Sequence, residues 1–306
     1  MYRGRTIGVV VPAYNEELHI GLVLQGMPDY VDAVYVVDDA STDRTADIVR
    51  DFIAHARTPA LPHFGSSGTA THSRTDALAH SVAAAVPRIE LVQHARNSGV
   101  GAAIVTGYKR CLADGMDIAV VMAGDNQMDP LELPRLLAPV VDGCADYAKG
   151  DRTSDRRHLE GMSHWRRFGN WLLRWLTRIA VGNMKVNDPQ NGYTAASAEL
   201  LSALPLSRLY PRYGYCNQLV AWVGVAGGRL VEVAMPSRYL GERSKIRYGA
   251  YIPRVSGLLL RLFLLRLMYR MRPSHRSWRM VRPPAAETGT GVSSDPVKDC
   301  TTSKLA

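Results

Sequence analysis

The chain has 306 residues, of which 46% are hydrophobic, so it can bury a full core and holds one large domain or two small ones. Its net charge of +9 and pI near 9.5 favour an acidic partner, meaning phosphate, nucleic acid or an anionic membrane surface. The four cysteines have no CxxC pair and no zinc-finger spacing, which excludes a disulfide framework and an obvious zinc site, and we expect them to be reduced.

The N-terminal segment MYRGRTIGVVVPAYNEE carries a short apolar run that ends at Pro12. The run is too short for a signal peptide and no small-residue cleavage site follows it. We therefore expect a cytoplasmic protein or one attached peripherally to the cytosolic face of a membrane.

Short apolar runs alternate with helix-like segments through the first half of the chain. The runs lie at 6–11, 33–38, 89–93 and 118–122, and the helix-like segments lie at about 16–27, 43–56, 100–113 and 131–141. Runs that are apolar throughout are typical of parallel strands covered on both faces. The predicted fold class is therefore α/β, with a mainly parallel sheet covered by helices.

The segment 58–87 mixes Pro, Gly, Ser, Thr and His, and it predicts a loop insertion with at most one short helix. After Gly150 we expect helices at 164–182, 197–206 and 215–226 and a strand at 228–235. The tryptophans of the first of these helices have helical spacing, which favours packing as their role.

The region 241–282 holds eleven Lys and Arg residues against the single acid Glu242. Its apolar runs are interrupted by Arg261, Arg266 and Arg270, well short of the roughly 18 residues that a spanning helix needs. We predict a main domain at 1–245, a basic amphipathic helix at 246–272 that lies on a membrane surface, and a disordered tail at 273–306.

Polar motifs follow three of the predicted strands: VVPAYNEE (10–17), VVDDASTD (36–43) and GDNQMD (124–129). Open parallel sheets bind ligands beyond the carboxyl ends of their strands, so the three motifs are expected to converge on one site. A turn with a helix cap is the simpler interpretation of VVDDASTD, and both roles are compatible. A dinucleotide-binding fold is disfavoured, because the first strand lacks the glycine fingerprint and NSGVGAAI lacks its third glycine.

Taken in order, PAYNEE, VVDDASTD, RNSGVGAA, GDNQMDP, KGDR, DPQNGY and RYLGERSK resemble the family 2 glycosyltransferases with the GT-A fold, particularly the dolichyl-phosphate mannosyltransferase-like branch. The resemblance covers about residues 6–250. It implies a nucleotide-sugar donor, bound by residues that we list here: Pro12, Ala13, Tyr14, Glu16, Asp38, Asp39, Arg96, Asn97, Gly99 and Asp125. It also implies a Mg²⁺ or Mn²⁺ ion held by Asp125, with Gln127 joining the coordination. The first acid of the family's DxD motif is here replaced by Ala123.

On the acceptor side the resemblance points to Asp188, Arg243 and Lys245, which together with Asp125 form the predicted catalytic set. It implies a metal-dependent inverting transfer of a hexose to a polyprenyl or dolichyl phosphate at the cytosolic leaflet, with no nucleic-acid partner. The segment YGYCNQLVAW has no acid, which favours a phosphate acceptor, since a phosphate oxygen needs no general base. Two alternatives stay open: transfer to a saccharide or lipid hydroxyl, and a nucleotide-sugar-binding protein without turnover.

Overall fold

The computed structural model describes residues 1–57, 87–153, 164–182, 186–236, 248–270 and 279–280. The predicted insertion at 58–87 lies outside these residues except for its last position, and so does most of the predicted tail.

The described strands join in one sheet. They are β1 (Ile7–Ala13), β2 (Ala33–Asp38), β3 (Arg88–Gln93), β4 (Ile118–Val121), β5 (Tyr147–Asp151), β6 (Thr194–Ser197), β7 (Arg229–Ala234) and β8 (Arg279–Met280). The five strands expected from the sequence are confirmed. β5 and β6 were not expected, and β8 forms within the tail that was predicted to be disordered.

The described α-helices are α1 (Ile20–Gln25), α2 (Thr45–Arg57), α3 (Val100–Ala113), α4 (Leu133–Val141), α5 (His164–Val181), α6 (Ala198–Ala203), α7 (Tyr215–Val225) and α8 (Tyr248–Arg270). α1 begins later than predicted. The reason is that the backbone N–H groups of Glu16 and Glu17 donate to side chains that follow β2, to Thr45 Oγ1 at 2.8 Å and to Asp43 Oδ2 at 3.1 Å.

The strand order is β3-β2-β1-β4-β6-β5-β7-β8. β6 pairs antiparallel with both β4 and β5, whereas the other pairs are parallel. The prediction of a mainly parallel sheet is therefore confirmed. The antiparallel strand β6 therefore separates the strands β1 to β4, on one side of the sheet, from β5, β7 and β8 on the other.

Alternate residues of the strands enter two separate cores. On one face Val9 and Val11 pack with α1 and α4, and on the other face Val10 packs with α3, α7 and α8. The Cβ that Gly107 of α3 lacks would collide with Val10, so this glycine lets α3 lie close to the sheet. Burial on both faces explains the uninterrupted apolar runs in the sequence.

α8 packs against the domain along one side. Val255, Leu258, Leu259 and Leu262 are buried in the core shared with α7, and the Arg266 guanidinium donates to the carbonyl oxygen of Ile179 in α5 at 2.7 Å. These four residues of the helix that was predicted to lie on a membrane are therefore buried within the protein. In the described part of the chain, none of the helices has the combined length and apolar character required to cross a bilayer.

The cysteines fall into two groups. Cys111 and Cys216 are buried free thiols, and burial raises the pKa of both. Cys144 is bonded in a disulfide, so the expectation of reduced cysteines is wrong for this residue.

Candidate active site

Loops that follow β3, β2, β1 and β4 lie side by side at one edge of the sheet. Ala13 of β1 is in register with Asp38 of β2, which is in register with Gln93 of β3. On the other side of β1, the Gly124 N–H after β4 donates to the Pro12 carbonyl oxygen at 3.2 Å. The motifs expected to converge do so, and we call these four loops the loop cluster.

The loops after β1 and β2 are joined by reciprocal hydrogen bonds. Asn15, at a φ of 54°, donates its N–H to Ser41 Oγ at 2.9 Å, and its side-chain oxygen accepts from the Thr42 N–H at 2.8 Å. The Arg44 N–H donates to Glu17 Oε2 at 3.1 Å. Side chains of each loop thus hold the backbone of the other, which fixes both loops before any ligand arrives.

Asp38 is buried at the end of β2, and its carboxylate is bound by the protein. Oδ1 accepts from the Ser41 N–H at 3.0 Å and Oδ2 from Gln93 Nε2 at 3.1 Å. The simpler interpretation of the sequence, a turn stabilised by the aspartate, is confirmed.

Asp39 is also buried, and it holds the glycine-containing loop that precedes α3. Its Oδ1 accepts from the Ser98 N–H at 2.8 Å and contacts His94 Nδ1 at 2.7 Å, while Oδ2 accepts from the Gly99 N–H at 2.7 Å. His94 Nε2 in turn lies 2.9 Å from Thr106 Oγ1. Asp38 and Asp39 therefore position loops, and their predicted contact with base or ribose stays a prediction.

Positions 99 and 101 require glycine because a neighbouring backbone segment lies against them. Gly99 has a φ of 98°, and a Cβ there would collide with the Pro211 carbonyl oxygen. A Cβ at Gly101 would collide with the Tyr210 carbonyl oxygen. The loop before α7 lies on the side where a Cβ would project, so the structure gives both glycines a packing role, and the predicted contact of Gly99 with the nucleotide stays a prediction.

The other predicted donor residues fall into two groups. Pro12 and Ala13 are buried and act through their backbone, since the Ala13 carbonyl oxygen accepts from the Asp39 N–H at 2.9 Å. Tyr14, Arg96 and Asn97 have exposed side chains at the tips of the loops. Glu16 is half-buried. Of these residues, Tyr14, Arg96 and Asn97 have side chains that are exposed enough to contact a bound ligand.

Asp125 lies in a tight turn directly after β4. Its Oδ1 accepts from the Gln127 N–H at 3.1 Å, and Asn126 between them has a φ of 58°. This turn places the Asp125 carboxylate and Gln127 next to each other, both half-buried, at the edge where the loop cluster opens. The two residues predicted to hold a metal are thus brought together.

The donors around this turn fit a hard cation. Carboxylate and amide oxygens are the ligand types that Mg²⁺ and Mn²⁺ prefer, and Mg²⁺ in particular uses one or two carboxylates together with substrate phosphates and water. Within the described residues no group of three His, Cys, Asp or Glu is arranged around a common point. The oxygen donors of Asp125 and Gln127 are of the type that suits Mg²⁺ or Mn²⁺.

A second group of charged residues lies on the far side of β6, and we call it the ion cluster. Its members, all buried or half-buried, are Lys149 and Asp151 of β5, Arg152, Arg178 of α5, Asp188 and Glu232 of β7. It surrounds the loop 186–191, in which the motif DPQNGY (188–193) begins. The sequence motifs KGDR and DPQNGY are therefore neighbours in the fold.

Asp188 is paired with Arg152 through two hydrogen bonds. Arg152 Nε lies 2.7 Å from Oδ2 and Nη2 lies 3.0 Å from Oδ1, and the carboxylate is 4% exposed. Burial raises the pKa of Asp188, but the charge and hydrogen bonds of Arg152, together with Lys149, outweigh it and lower that pKa to about 2. A carboxyl with this pKa is a poor proton acceptor near neutral pH.

The backbone of loop 186–191 is held from several sides. The Lys149 ammonium donates to the Asn191 carbonyl oxygen, and Arg178 Nε donates to the Val186 carbonyl oxygen at 2.7 Å. Glu232 accepts from the N–H groups of Asn187 and Asp188, at 2.8 and 3.0 Å. Sequence reasoning missed Glu232, although a single acid within the apolar run of β7 was a usable signal.

The remaining predicted acceptor residues, Arg243 and Lys245, lie outside the described residues. In α7 the polar side chains have structural partners. Gln218 Oε1 accepts from the Tyr210 N–H at 2.6 Å, and Asn217 Nδ2 donates to Thr177 Oγ1 at 2.8 Å. The polar side chains of the segment YGYCNQLVAW thus help to hold the fold together.

Comparison with known sequences identifies relatives. The family described as glycosyl transferase family 2 matches residues 8–61 and 71–204. A UDP-N-acetylglucosamine–dolichyl-phosphate N-acetylglucosaminyltransferase of Methanococcus voltae is 26% identical over 215 residues, which cover 70% of this chain and 78% of that protein. An undecaprenyl-phosphate mannosyltransferase of Micrococcus luteus is 29% identical over 245 residues, covering 78% of this chain and 87% of that protein.

Among solved structures, the fold is similar to glucosyl-3-phosphoglycerate synthase of Mycobacterium tuberculosis. The crystal structure of its complex with UDP superposes with a TM-score of 0.54 at 25% identity, covering 85% of this chain and 80% of that one. The same enzyme with Mn²⁺, UDP-glucose and phosphoglyceric acid gives a TM-score of 0.52, also at 25% identity, covering 86% of this chain and 80% of that one.

Proposed function

Because the chain belongs to glycosyl transferase family 2, we propose that it transfers a hexose from a nucleotide-sugar to a polyprenyl phosphate, with inversion at the anomeric carbon. It is a glycosyltransferase with the GT-A fold. The acceptor follows the two relatives named for transfer to dolichyl phosphate and undecaprenyl phosphate.

The state of Asp188 is the observation that carries the choice of acceptor. A hydroxyl acceptor needs a general base, and the bidentate pair with Arg152 keeps Asp188 ionised but weakly basic. A phosphate oxygen is already ionised near neutral pH and can attack the anomeric carbon without losing a proton. Asp188 then serves by orienting Arg152 and the loop 186–191, which is compatible with a phosphate nucleophile.

The loop cluster is the proposed donor site. Tyr14, Arg96 and Asn97 are exposed at its tips and can contact the nucleoside and its phosphates, and Asp125 with Gln127 would hold Mg²⁺ or Mn²⁺. When bound, the ion supplies positive charge that stabilises the departing nucleoside diphosphate. Arg243 and Lys245 keep their proposed role as phosphate-binding residues.

Membrane contact is proposed through α5 and α8 together. α5 exposes Trp171, Leu172, Trp175, Leu176 and Ile179, and α8 exposes Leu260, Leu264, Leu267 and Met268. The two helices pack on each other, and Arg254 and Arg261 of α8 are exposed beside these apolar residues. Exposed apolar side chains bordered by arginines suit the interface of an anionic leaflet, which is where a polyprenyl phosphate resides.

A matched pair of leucines tests this surface. Leu264 is 50% exposed on α8 and Leu22 is 53% exposed on α1, so Leu264→Ser and Leu22→Ser remove equal apolar area from different places. Only Leu264→Ser should weaken binding to anionic vesicles, and high salt should release the wild-type protein in part, because apolar contacts persist when charges are screened. Equal binding by both variants would contradict the proposal.

The solved neighbours favour a second acceptor class. The synthase crystallised with phosphoglyceric acid is similar in fold, which supports transfer to the hydroxyl of a small molecule as the alternative. The third possibility, a binding protein without turnover, is disfavoured by family membership and by relatives named as transferases.

One experiment separates the acceptor classes. The protein is incubated with radiolabelled UDP- or GDP-hexoses, Mn²⁺, and either polyprenyl phosphate in vesicles or phosphoglyceric acid. We expect a lipid product whose sugar is released by mild acid. An acid-stable glycoside would instead support the hydroxyl acceptor, and the absence of product with every donor and acceptor would contradict both.

A further inference from the structure

Glu232 of β7 is a member of the ion cluster and contacts the backbone of the loop 186–191. Both of its carboxylate oxygens are used: Oε2 accepts from the Asn187 N–H at 2.8 Å and Oε1 from the Asp188 N–H at 3.0 Å. Because one carboxylate binds two consecutive backbone N–H groups, it fixes the orientation of the backbone at Asn187 and Asp188.

Other contacts of the loop 186–191 depend on this backbone orientation. Asp188 must face Arg152 for its bidentate pair, and the Asn191 carbonyl oxygen must face the buried Lys149. Glu232 is in register with Lys149 across the parallel strands β7 and β5, so it is placed by the sheet itself. Rotation of the Asn187–Asp188 peptide would withdraw the Asp188 side chain from Arg152.

We propose that Glu232 is a positioning residue for the acceptor: its carboxylate holds the loop 186–191 in the orientation in which Asp188 pairs with Arg152, beside the place where the acceptor is proposed to bind. The inference rests on the proposed polyprenyl-phosphate acceptor. It assigns Glu232 no contact with the reacting atoms. The donor loops contact this region through the Tyr193 hydroxyl, which donates to the Asp129 carbonyl oxygen at 3.0 Å, and not through Glu232.

The surroundings of Glu232 make this support sensitive to pH. It faces Asp151 and Lys149 on β5, Arg178 on α5 and Asp188 on the loop. Burial and the charge of Asp151 raise the pKa of Glu232 to about 7, against the opposing effect of the two backbone hydrogen bonds and of Lys149. The protonated carboxyl presents an O–H donor to one of the two N–H groups, so acceptor binding weakens as the pH falls below about 7.

Kinetics with each substrate varied in turn provide the first test. In Glu232→Gln the amide NH₂ faces a backbone N–H and one hydrogen bond is lost, so the KM for polyprenyl phosphate should rise roughly tenfold, equivalent to about 1.4 kcal/mol. The KM for the nucleotide-sugar should not change. Glu90→Gln on the edge strand β3 makes the same substitution at an ion pair with Arg110 and should change neither value.

The pH profile distinguishes positioning from simple loss of structure. Between about pH 8 and pH 6 the wild-type KM for the acceptor should rise more steeply than that of Glu232→Gln, in which only the ionisation of the acceptor phosphate remains. Glu232→Asp retains a carboxylate and should retain the pH dependence. A profile for the glutamine variant as steep as that of the wild type, or a rise in the donor KM equal to that in the acceptor KM, would overturn the proposal.

Amide hydrogen exchange tests the contact without any substrate. In Glu232→Gln the amides of Asn187 and Asp188 should exchange at least about tenfold faster than in the wild type and in Glu90→Gln, at matched thermal stability. Unchanged exchange would overturn the positioning role. If the wild type makes no product with polyprenyl phosphate, the proposed function is wrong, and exchange still decides whether Glu232 orients the loop.

Discussion

The loop cluster and the ion cluster orient their loops with different forces. In the loop cluster, side chains such as Asn15 and Ser41 bind backbone groups of a neighbouring loop, in partly exposed positions. In the ion cluster, opposite charges such as Arg152 and Asp188 are buried against each other. Neutral hydrogen bonds are individually worth about 0.5–1.5 kcal/mol, whereas breaking a buried ion pair costs about 3–5 kcal/mol.

The difference indicates how each part tolerates change. A loop held by several weak bonds loses a fraction of its order when one bond is removed, and it can adjust as a nucleotide enters and leaves. A loop held by buried charges is stable only while the set of charges is complete. We therefore expect single substitutions at the neutral contacts of the loop cluster to be graded and those in the ion cluster to be severe. The exceptions in the loop cluster are Asp39, whose buried carboxylate holds the glycine loop, and Asp125, whose proposed role is chemical.

The largest effect is expected at Asp125. Asp125→Ala should lower the transfer rate at saturating Mn²⁺ by roughly 10³-fold, since the charge that neutralises the leaving diphosphate can no longer be held. Asp125→Asn keeps an acceptor for the Gln127 N–H, so it should be equally inactive but melt at the wild-type temperature. Near-normal turnover of either variant would contradict the metal assignment.

Arg152→Met should give the largest loss of stability. It leaves the buried Asp188 carboxylate without its partner, at a cost of about 3 kcal/mol or more in the free energy of unfolding. The double variant Arg152→Met/Asp188→Asn removes both charges and should recover part of that loss. Urea denaturation of the two single variants and the double variant measures the coupling, and additive effects would show that the pair is not a unit.

Acid should destabilise the ion cluster through Asp188. The pKa of this carboxyl is lowered in the folded state to about 2, so its stabilising contribution is complete above its unfolded pKa near 3.8 and is lost as the pH falls through about 2. The contribution is roughly 2 kcal/mol. The difference in unfolding free energy between wild type and Asp188→Asn, measured from about pH 6 to pH 2, should shrink over this window; a constant difference would contradict the assignment.

The sequence was sufficient to predict those parts of the fold that are formed by residues close together in the chain. Parallel strands and the helices between them alternate regularly, and the Asp38 turn and the Asp125 turn follow from residues close together in the chain. The family motifs fall in the same segments. Convergence of their loops follows from parallel topology alone, which is why it could be predicted.

The sequence was insufficient to predict strands and contacts whose partner residues are distant in the chain. β6 is short, rich in small residues and antiparallel, and β5 carries a buried Lys149, so neither resembles an apolar strand. Glu232 meets Asn187 across 45 residues of sequence. The packing partners of Gly99 and Asp39, in the loop before α7 and the loop before α3, are set by tertiary structure and could not be predicted from the sequence.

The smallest effect is expected in the loop cluster, from Asn15→Gly. Glycine keeps the left-handed backbone that Asn15 adopts at a φ of 54° but removes the acceptor for the Thr42 N–H, so the loss should be near 1 kcal/mol, the value of one hydrogen bond. The KM for the nucleotide-sugar should rise a few-fold while that for the acceptor stays constant, the reverse of the pattern expected from Glu232→Gln. Asn15→Ala, which adds strain at positive φ, should be worse than glycine. Steady-state kinetics of the two Asn15 variants beside Glu232→Gln decide whether the two clusters act separately. A shared rise in both KM values would show that they are coupled through the sheet.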